Sequence, residues 1–187
     1  MITSPPPFQV VRFLAFATSI LIFPLFALAQ AQTPPAAGAP GCGPGDVRFE
    51  VTTSKNQNPP SKAEAGKALV YFLQDDTNFN SRPRPSTLVG LNGQWIGATN
   101  GNSYFYFTVD PGEHHLCTNW QGFSFLGKTR TAGALRFTAE AGGVYYFRAK
   151  DIYVSDKYFD LKLEQMDGDG GQLLVSKFSY SSSHAKK

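Results

Sequence analysis

From residue 47 onward this chain is built of short apolar runs, each closed by a turn carrying Gly, Pro or Asn. Val47-Arg48-Phe49-Glu50-Val51-Thr52 alternates apolar and polar residues with period two. So do Ala134-Leu135-Arg136-Phe137-Thr138-Ala139 and Leu161-Lys162-Leu163-Glu164-Gln165-Met166. Period two sends successive side chains to opposite faces, which is the pattern of a half-buried strand. Ala68-Leu69-Val70-Tyr71-Phe72-Leu73 is apolar throughout and fits a central strand covered on both faces. No long segment has the 3.6-residue period of a helix, and there is no internal repeat.

The turns set the connections. Asn92-Gly93 stands between Thr87–Leu91 and Gln94–Gly97, and both residues tolerate the positive φ of a tight hairpin. Thr99–Asn102 and Glu140–Gly143 are further turns, the second leading into Val144–Arg148. Asp110-Pro111-Gly112-Glu113 predicts a tight turn that pairs Tyr104–Val109 with His114–Trp120. Asn56–Pro60 and the polar Asp75–Pro85 read as exposed loops. Gln172–Ser176 fits either a strand or one helical turn. Strands with turns roughly every 8–12 residues predict an all-β fold, an Ig-like or transthyretin-like antiparallel β-sandwich of about 7–9 strands, with a small barrel as the lesser alternative. The expected limits are 46–180 for the sandwich and 181–187 for a polar, frayed tail.

The N-terminal residues read differently. Arg12 and the amino terminus precede an apolar stretch, Phe13–Leu28, broken only by Thr18, Ser19 and Pro24. Ala27-Leu28-Ala29 then fits a small-x-small cleavage site, with Ala29-Gln30-Ala31 as a second option, so residues 1–29 are expected to be a signal peptide removed before Gln30 or Gln32. The stretch is short of the ~20 apolar residues that span a bilayer, so no membrane span is expected after cleavage. Residues 30–45 are rich in Pro, Ala and Gly without apolar period and are expected to form a disordered leader. Localisation is then exported, either periplasmic or extracellular.

Export places Cys42 and Cys117, the only two cysteines, in an oxidising compartment. Neither stands in a CxxC or a metal-ligand spacing, and a disulfide between them is the expected state. It would close a loop of about 75 residues and contribute up to ~4.5 kcal/mol through chain entropy.

Composition excludes some classes. The chain has 16 Phe, 8 Tyr and 2 Trp among 187 residues, with 17% charged and a formal net charge of +3. That charge does not make the concentrated basic face of a nucleic-acid binder. The 18 Gly and 13 Pro fall below the level of a low-complexity chain.

Several motifs occur in order: Lys67-Ala68-Leu69-Val70-Tyr71-Phe72, Leu91-Asn92-Gly93-Gln94-Trp95-Ile96-Gly97, Tyr104-Phe105, Val109-Asp110-Pro111-Gly112-Glu113-His114 and Ala141-Gly142-Gly143-Val144-Tyr145-Tyr146-Phe147-Arg148. Over about Cys42 to Lys187 this series resembles an uncharacterised bacterial exported family, domain of unknown function 2846. Its order also resembles the short sandwich modules of the PEGA and carboxypeptidase-regulatory kind. The resemblance implies an exported β-sandwich and no activity, so it supplies no catalytic residue. Many members of that family look lipid-anchored, whereas here no Cys stands close behind the apolar stretch.

Candidate chemistry is sparse. Glu113 and His115 share a strand face, but His114 points the other way and His184 lies in the tail, short of the three or four ligands of a zinc site. Asp167-Gly168-Asp169-Gly170 resembles the start of a calcium loop, yet position 12 is Phe178 where Glu is needed. There is no G-x-S-x-G, no phosphate-binding glycine loop, and Asp75-Asp76 sit in what reads as a solvated loop. No catalytic residue, metal or cofactor is expected. The aromatics Trp95, Tyr104, Tyr106, Trp120 and Phe123, with Phe125 beside them, are the candidate binding residues, since rings on a β-surface stack on sugars or anchor a partner's side chains. The alternative is that they fill the core, with the Gln121–Gly133 loop covering those that do not fit. The expected function is an exported non-catalytic module mediating interaction with envelope or extracellular partners, an envelope protein or a polysaccharide. A carbohydrate-binding module with exposed rings is the alternative, and a hydrolase with an unrecognised site is the second.

Overall fold

The apolar run at Ala68 becomes the strand around which the fold is arranged. The structure, a computed structural model, describes residues 42–44, 47–55, 57–121, 132–155 and 158–186. The expected signal peptide and nearly all of the 30–45 leader lie outside the described residues, as do Phe123, Phe125 and most of the expected covering loop.

The strands are β1 (Phe49–Ser54), β2 (Ala68–Phe79), β3 (Ser86–Leu91), β4 (Gln94–Asn100), β5 (Ser103–Val109), β6 (Gly112–Gln121), β7 (Ala132–Ala139), β8 (Val144–Ser155), β9 (Tyr158–Met166) and β10 (Ser179–Ala185). One helix, α1 (Gly168–Lys177), separates the last two. They form a six-stranded sheet, β1-β10-β5-β2-β8-β9, and a four-stranded sheet, β4-β3-β6-β7, packed as a sandwich. Alternate residues of β2 face opposite ways. Val70 and Phe72 point between the sheets and meet Val89, Leu116, Phe137 and Phe147 in the main core. Leu69, Tyr71 and Leu73 point outward, where Leu174, Val175 and Phe178 cover them. Double coverage is the physical reason for the unbroken apolar run. Each large side chain fully buried there contributes roughly 1.5–3 kcal/mol.

The Asn92-Gly93 hairpin forms as its chemistry demands, with φ of 50° and 86°, and joins β3 to β4. Four other readings need correction. First, Asp110-Pro111-Gly112-Glu113 does not pair its flanking strands. It carries the chain from β5 in one sheet to β6 in the other, and β6 pairs with β3 and β7. The local turn chemistry is the same for a hairpin and for an arch between sheets. Second, the six-stranded sheet is not wholly antiparallel, because β2 runs parallel to β8 and β10 parallel to β5.

Third, the polar segment from Asp75 is not an exposed loop at its start. β2 continues to Phe79, with Asp75 and Asp76 buried. Fourth, the C-terminal tail is not frayed. Residues to Ala185 form β10, inserted between β1 and β5, where Ser103 Oγ bonds Ser181 Oγ at 2.7 Å.

Gln172–Ser176 belongs to α1. Asp167, read as a possible calcium ligand, is its N-cap: the side chain accepts from Gly170 N at 2.7 Å, and Asp169 lies in the first turn. This satisfies an orphan helix N–H and sets acidic charge at the positive end of the helix. The disulfide Cys42–Cys117 is present, with Cα atoms 5.2 Å apart. Leu116 faces the inter-sheet core, so Cys117 lies on the opposite face of β6 and holds residues 42–44 there. Among the described residues no helix is long and apolar enough to cross a membrane.

Candidate functional site

The outward face of the six-stranded sheet carries tyrosine from neighbouring strands. Tyr71 on β2 is in register with Tyr106 on β5 and Tyr146 on β8, and Tyr104 stands beside them opposite Leu73. The Tyr71 and Tyr146 rings stack, with centroids 5.1 Å apart and planes 10° from parallel. Tyr104 and Tyr106 lie tilted against Tyr71 at 6.1 Å and 5.8 Å, and both touch Tyr180 of β10. Tilted and offset rings match the quadrupole preference of aromatic pairs.

Above this floor is a cavity of about 400 Å³. Helix α1 makes one wall through Gln172, Val175 and Ser176, and the segment between β1 and β2 makes the other through Gln57, Pro59, Pro60 and Ser61. The Tyr71 hydroxyl donates to the Pro60 carbonyl, tying that second wall to the floor. Lys55 is the one charged side chain among the described lining residues. Burial, then the neighbouring tyrosines, hold the Tyr71 hydroxyl well above its ordinary value. Burial likewise raises Tyr104, Tyr146 and Tyr180. At neutral pH the floor is therefore uncharged phenol, and the lining offers amides, hydroxyls and ring edges.

The expected binding residues divide. Tyr104 lines the cavity and Tyr106 lies beside it. Trp95 stands on the other sheet, half-buried, with its indole donating to the Pro44 carbonyl at 2.7 Å. Trp120 is buried, so it offers no ring to a partner. It packs on Phe79 and Phe159 and turns its indole N–H inward. The exposed aromatic row expected of a sugar platform is therefore absent among the described candidates: Tyr104 and Trp120 are only 3% and 4% accessible.

The Trp120 indole leads to a second cluster, sealed between the sheets, that sequence reading missed. It donates to Asp151 Oδ1 at 2.8 Å. Gln74 Nε2 stands 2.9 Å from Asp151 Oδ2, 2.9 Å from Asp76 Oδ1 and 3.0 Å from the Pro85 carbonyl. Thr87 Oγ1 reaches Asp151 Oδ2 at 3.3 Å, and Arg84 Nε stands 4.0 Å from Asp76 Oδ2. Gln74, Asp76, Thr87 and Asp151 are wholly buried. Burial, the largest cause, drives both carboxyls above the ordinary range. The signal was present in the strand period: Gln74 and Asp76 continue the inward parity of Val70 and Phe72, and Asp151 continues that of Phe147 and Ala149.

The remaining candidates are surface pairs. Glu113 and His115 do share a face at 3.7 Å, with Arg136 at 3.5 Å from the same carboxylate. His114 accepts from the Asn92 amide at 3.0 Å and donates to the Asp110 carbonyl at 2.7 Å, a turn-bracing role. His184 on β10 pairs with Glu50 opposite it on β1, within the six-stranded sheet, at 3.6 Å.

A family model described as "Protein of unknown function (DUF2846)" matches residues 64–159. No curated protein matches the chain. The matched span is narrower than the resemblance read from Cys42 to Lys187. It holds the tyrosines of β2, β5 and β8 and the sealed acidic cluster, whereas both side walls of the cavity lie outside it.

Proposed function

The chain belongs to the DUF2846 family of proteins of unknown function, and from that premise we propose that it is an exported bacterial, non-catalytic β-sandwich module that engages an envelope or extracellular protein through its tyrosine-floored cavity. It would work in the manner of the PEGA and carboxypeptidase-regulatory modules that its order of turns resembles. The observation that carries this is the cavity itself: a concave, mostly neutral site on rigid strands, walled by a helix and a proline-bearing segment. Pre-formed sites with aromatic lining and a few polar groups are the usual form of a binding site. Pro60 already takes the Tyr71 hydroxyl and the floor rings are buried, so a partner would meet chiefly the amides, hydroxyls and prolines of the walls.

Carbohydrate is the second reading, favoured by the amide and hydroxyl lining of Gln57, Gln172, Ser61 and Ser176. The two are separated by capturing envelope proteins on the immobilised protein in parallel with a polysaccharide panel, using wild type and the cavity-filling variant Ser176→Trp. Capture of a discrete protein by wild type, lost in the variant, supports the protein partner. Retention of a glycan with no protein captured overturns it.

A further inference from the structure

The main core gives way, where β2 and β8 run past Gln74 and Ala149, to a polar cluster with more acceptors than donors. Gln74 has two amide hydrogens on Nε2 and three oxygens within 3.0 Å of it. Asp76 Oδ2 is buried without a hydrogen-bond partner, as is Arg84 Nε opposite it. The two carboxyls converge on the same amide nitrogen, Gln74 Nε2, each at 2.9 Å. If both were ionised, two fully buried negative charges would share one amide and face one partly exposed guanidinium. Like charges sharing a buried site do not both ionise.

We propose that Asp76 and Asp151 hold a single proton between them and form, with Gln74 and Arg84, a clasp between the two sheets that is released as pH rises. One proton supplies a donor to the carboxyl pair and, with Arg84, brings the cluster to zero net charge, while Gln74 Oε1 stays without a partner. Asp76 and Asp151 come from the six-stranded sheet, Thr87 and Trp120 from the other, and Arg84 and Pro85 from the segment leading into β3. The clasp therefore ties three parts of the chain. Arg84 and Asp75 are the other charged groups acting on Asp76. Asp75 is turned to the far face of β2, where Arg148 stands 3.5 Å from it. Asp76 is the charged group acting on Asp151.

The direction follows from linkage. A carboxyl raised in the folded state makes that state bind more protons than the unfolded chain. Its stabilisation is complete below the ordinary carboxyl value and is lost as pH rises through the folded values. The test is urea unfolding of the purified protein between about pH 5 and 9, a window above the ordinary carboxyl range. The folding equilibrium constant of wild type should fall ~tenfold for each unit by which the pair stands above ordinary carboxyls. In Asp151→Asn, whose amide has no proton to lose, that fall should disappear. A flat wild-type profile, or a fall that survives unchanged in Asp151→Asn and Asp76→Asn, overturns the clasp. Should the variants fail to fold, infrared spectroscopy of wild type decides: a protonated-carboxyl C=O band persisting at neutral pH supports it, and its loss together with the ordinary carboxyls overturns it.

Discussion

Gly171 lies against the ring of Tyr146 so closely that a Cβ at this position would stand 2.1 Å from the ring's Cγ. The glycine is what lets α1 rest on the six-stranded sheet and wall the cavity. Gly171→Ala gains helix propensity of roughly 1 kcal/mol but forces helix and ring apart. The expected net result is a loss of about 1–3 kcal/mol, typical of overpacking, measured by urea unfolding. Wild-type stability or better would show that the helix is not seated on Tyr146.

Tyr71, Tyr104, Tyr146 and Tyr180 are all raised by burial. A phenolate-absorbance titration should resolve a late class containing these residues. The sign is the same as for any raised acid. The tyrosine floor stabilises the fold fully below the ordinary tyrosine value of ~10 and ceases to do so as pH rises through the folded values. Titration of all tyrosines as one ordinary class would contradict the packed floor.

The two tryptophans predict a contrast. Trp120→Phe leaves buried Asp151 Oδ1 without its donor and should cost about 1–3 kcal/mol. Trp95→Phe removes a more exposed bond to the Pro44 carbonyl and should cost less than ~1 kcal/mol. Equal unfolding midpoints for the two variants would remove the buried indole–carboxyl bond from the description.

The bridge between Cys42 and Cys117 predicts that mass analysis without reductant finds no free thiol. Cys117→Ser should lower stability by up to ~4.5 kcal/mol. Two free thiols in the purified protein would sink the assignment.

Much of this architecture is legible in the residues. The doubly covered strand shows in Ala68–Leu73, the hairpin in Asn92-Gly93 and the staple in the only pair of cysteines. Three features hide for physical reasons. β10 is Ser-Tyr-Ser-Ser-Ser-His-Ala, which has almost no apolar pattern because its backbone is held by β1 and β5, Ser181 and Ser182 bond to the hydroxyls of Ser103 and Thr52, and Ser183 accepts from Ala98 N. The pairing of β2 with β8 leaves no local trace, since parallel partners are chosen by long-range packing. The acidic clasp hides because polarity argues for a loop, while only strand parity shows that Gln74 and Asp76 face inward. Of the candidate binding residues, Tyr104 and Tyr106 stand at the cavity, whereas Trp95 and Trp120 serve the other sheet and the core.

Capture of envelope proteins in parallel with the polysaccharide panel, on wild type and Ser176→Trp of matched circular dichroism, tests the binding role of the tyrosine cavity most directly. A discrete protein retained by wild type and released from the variant is the expected result. A glycan retained with no protein, or a protein held equally by both forms, would contradict it.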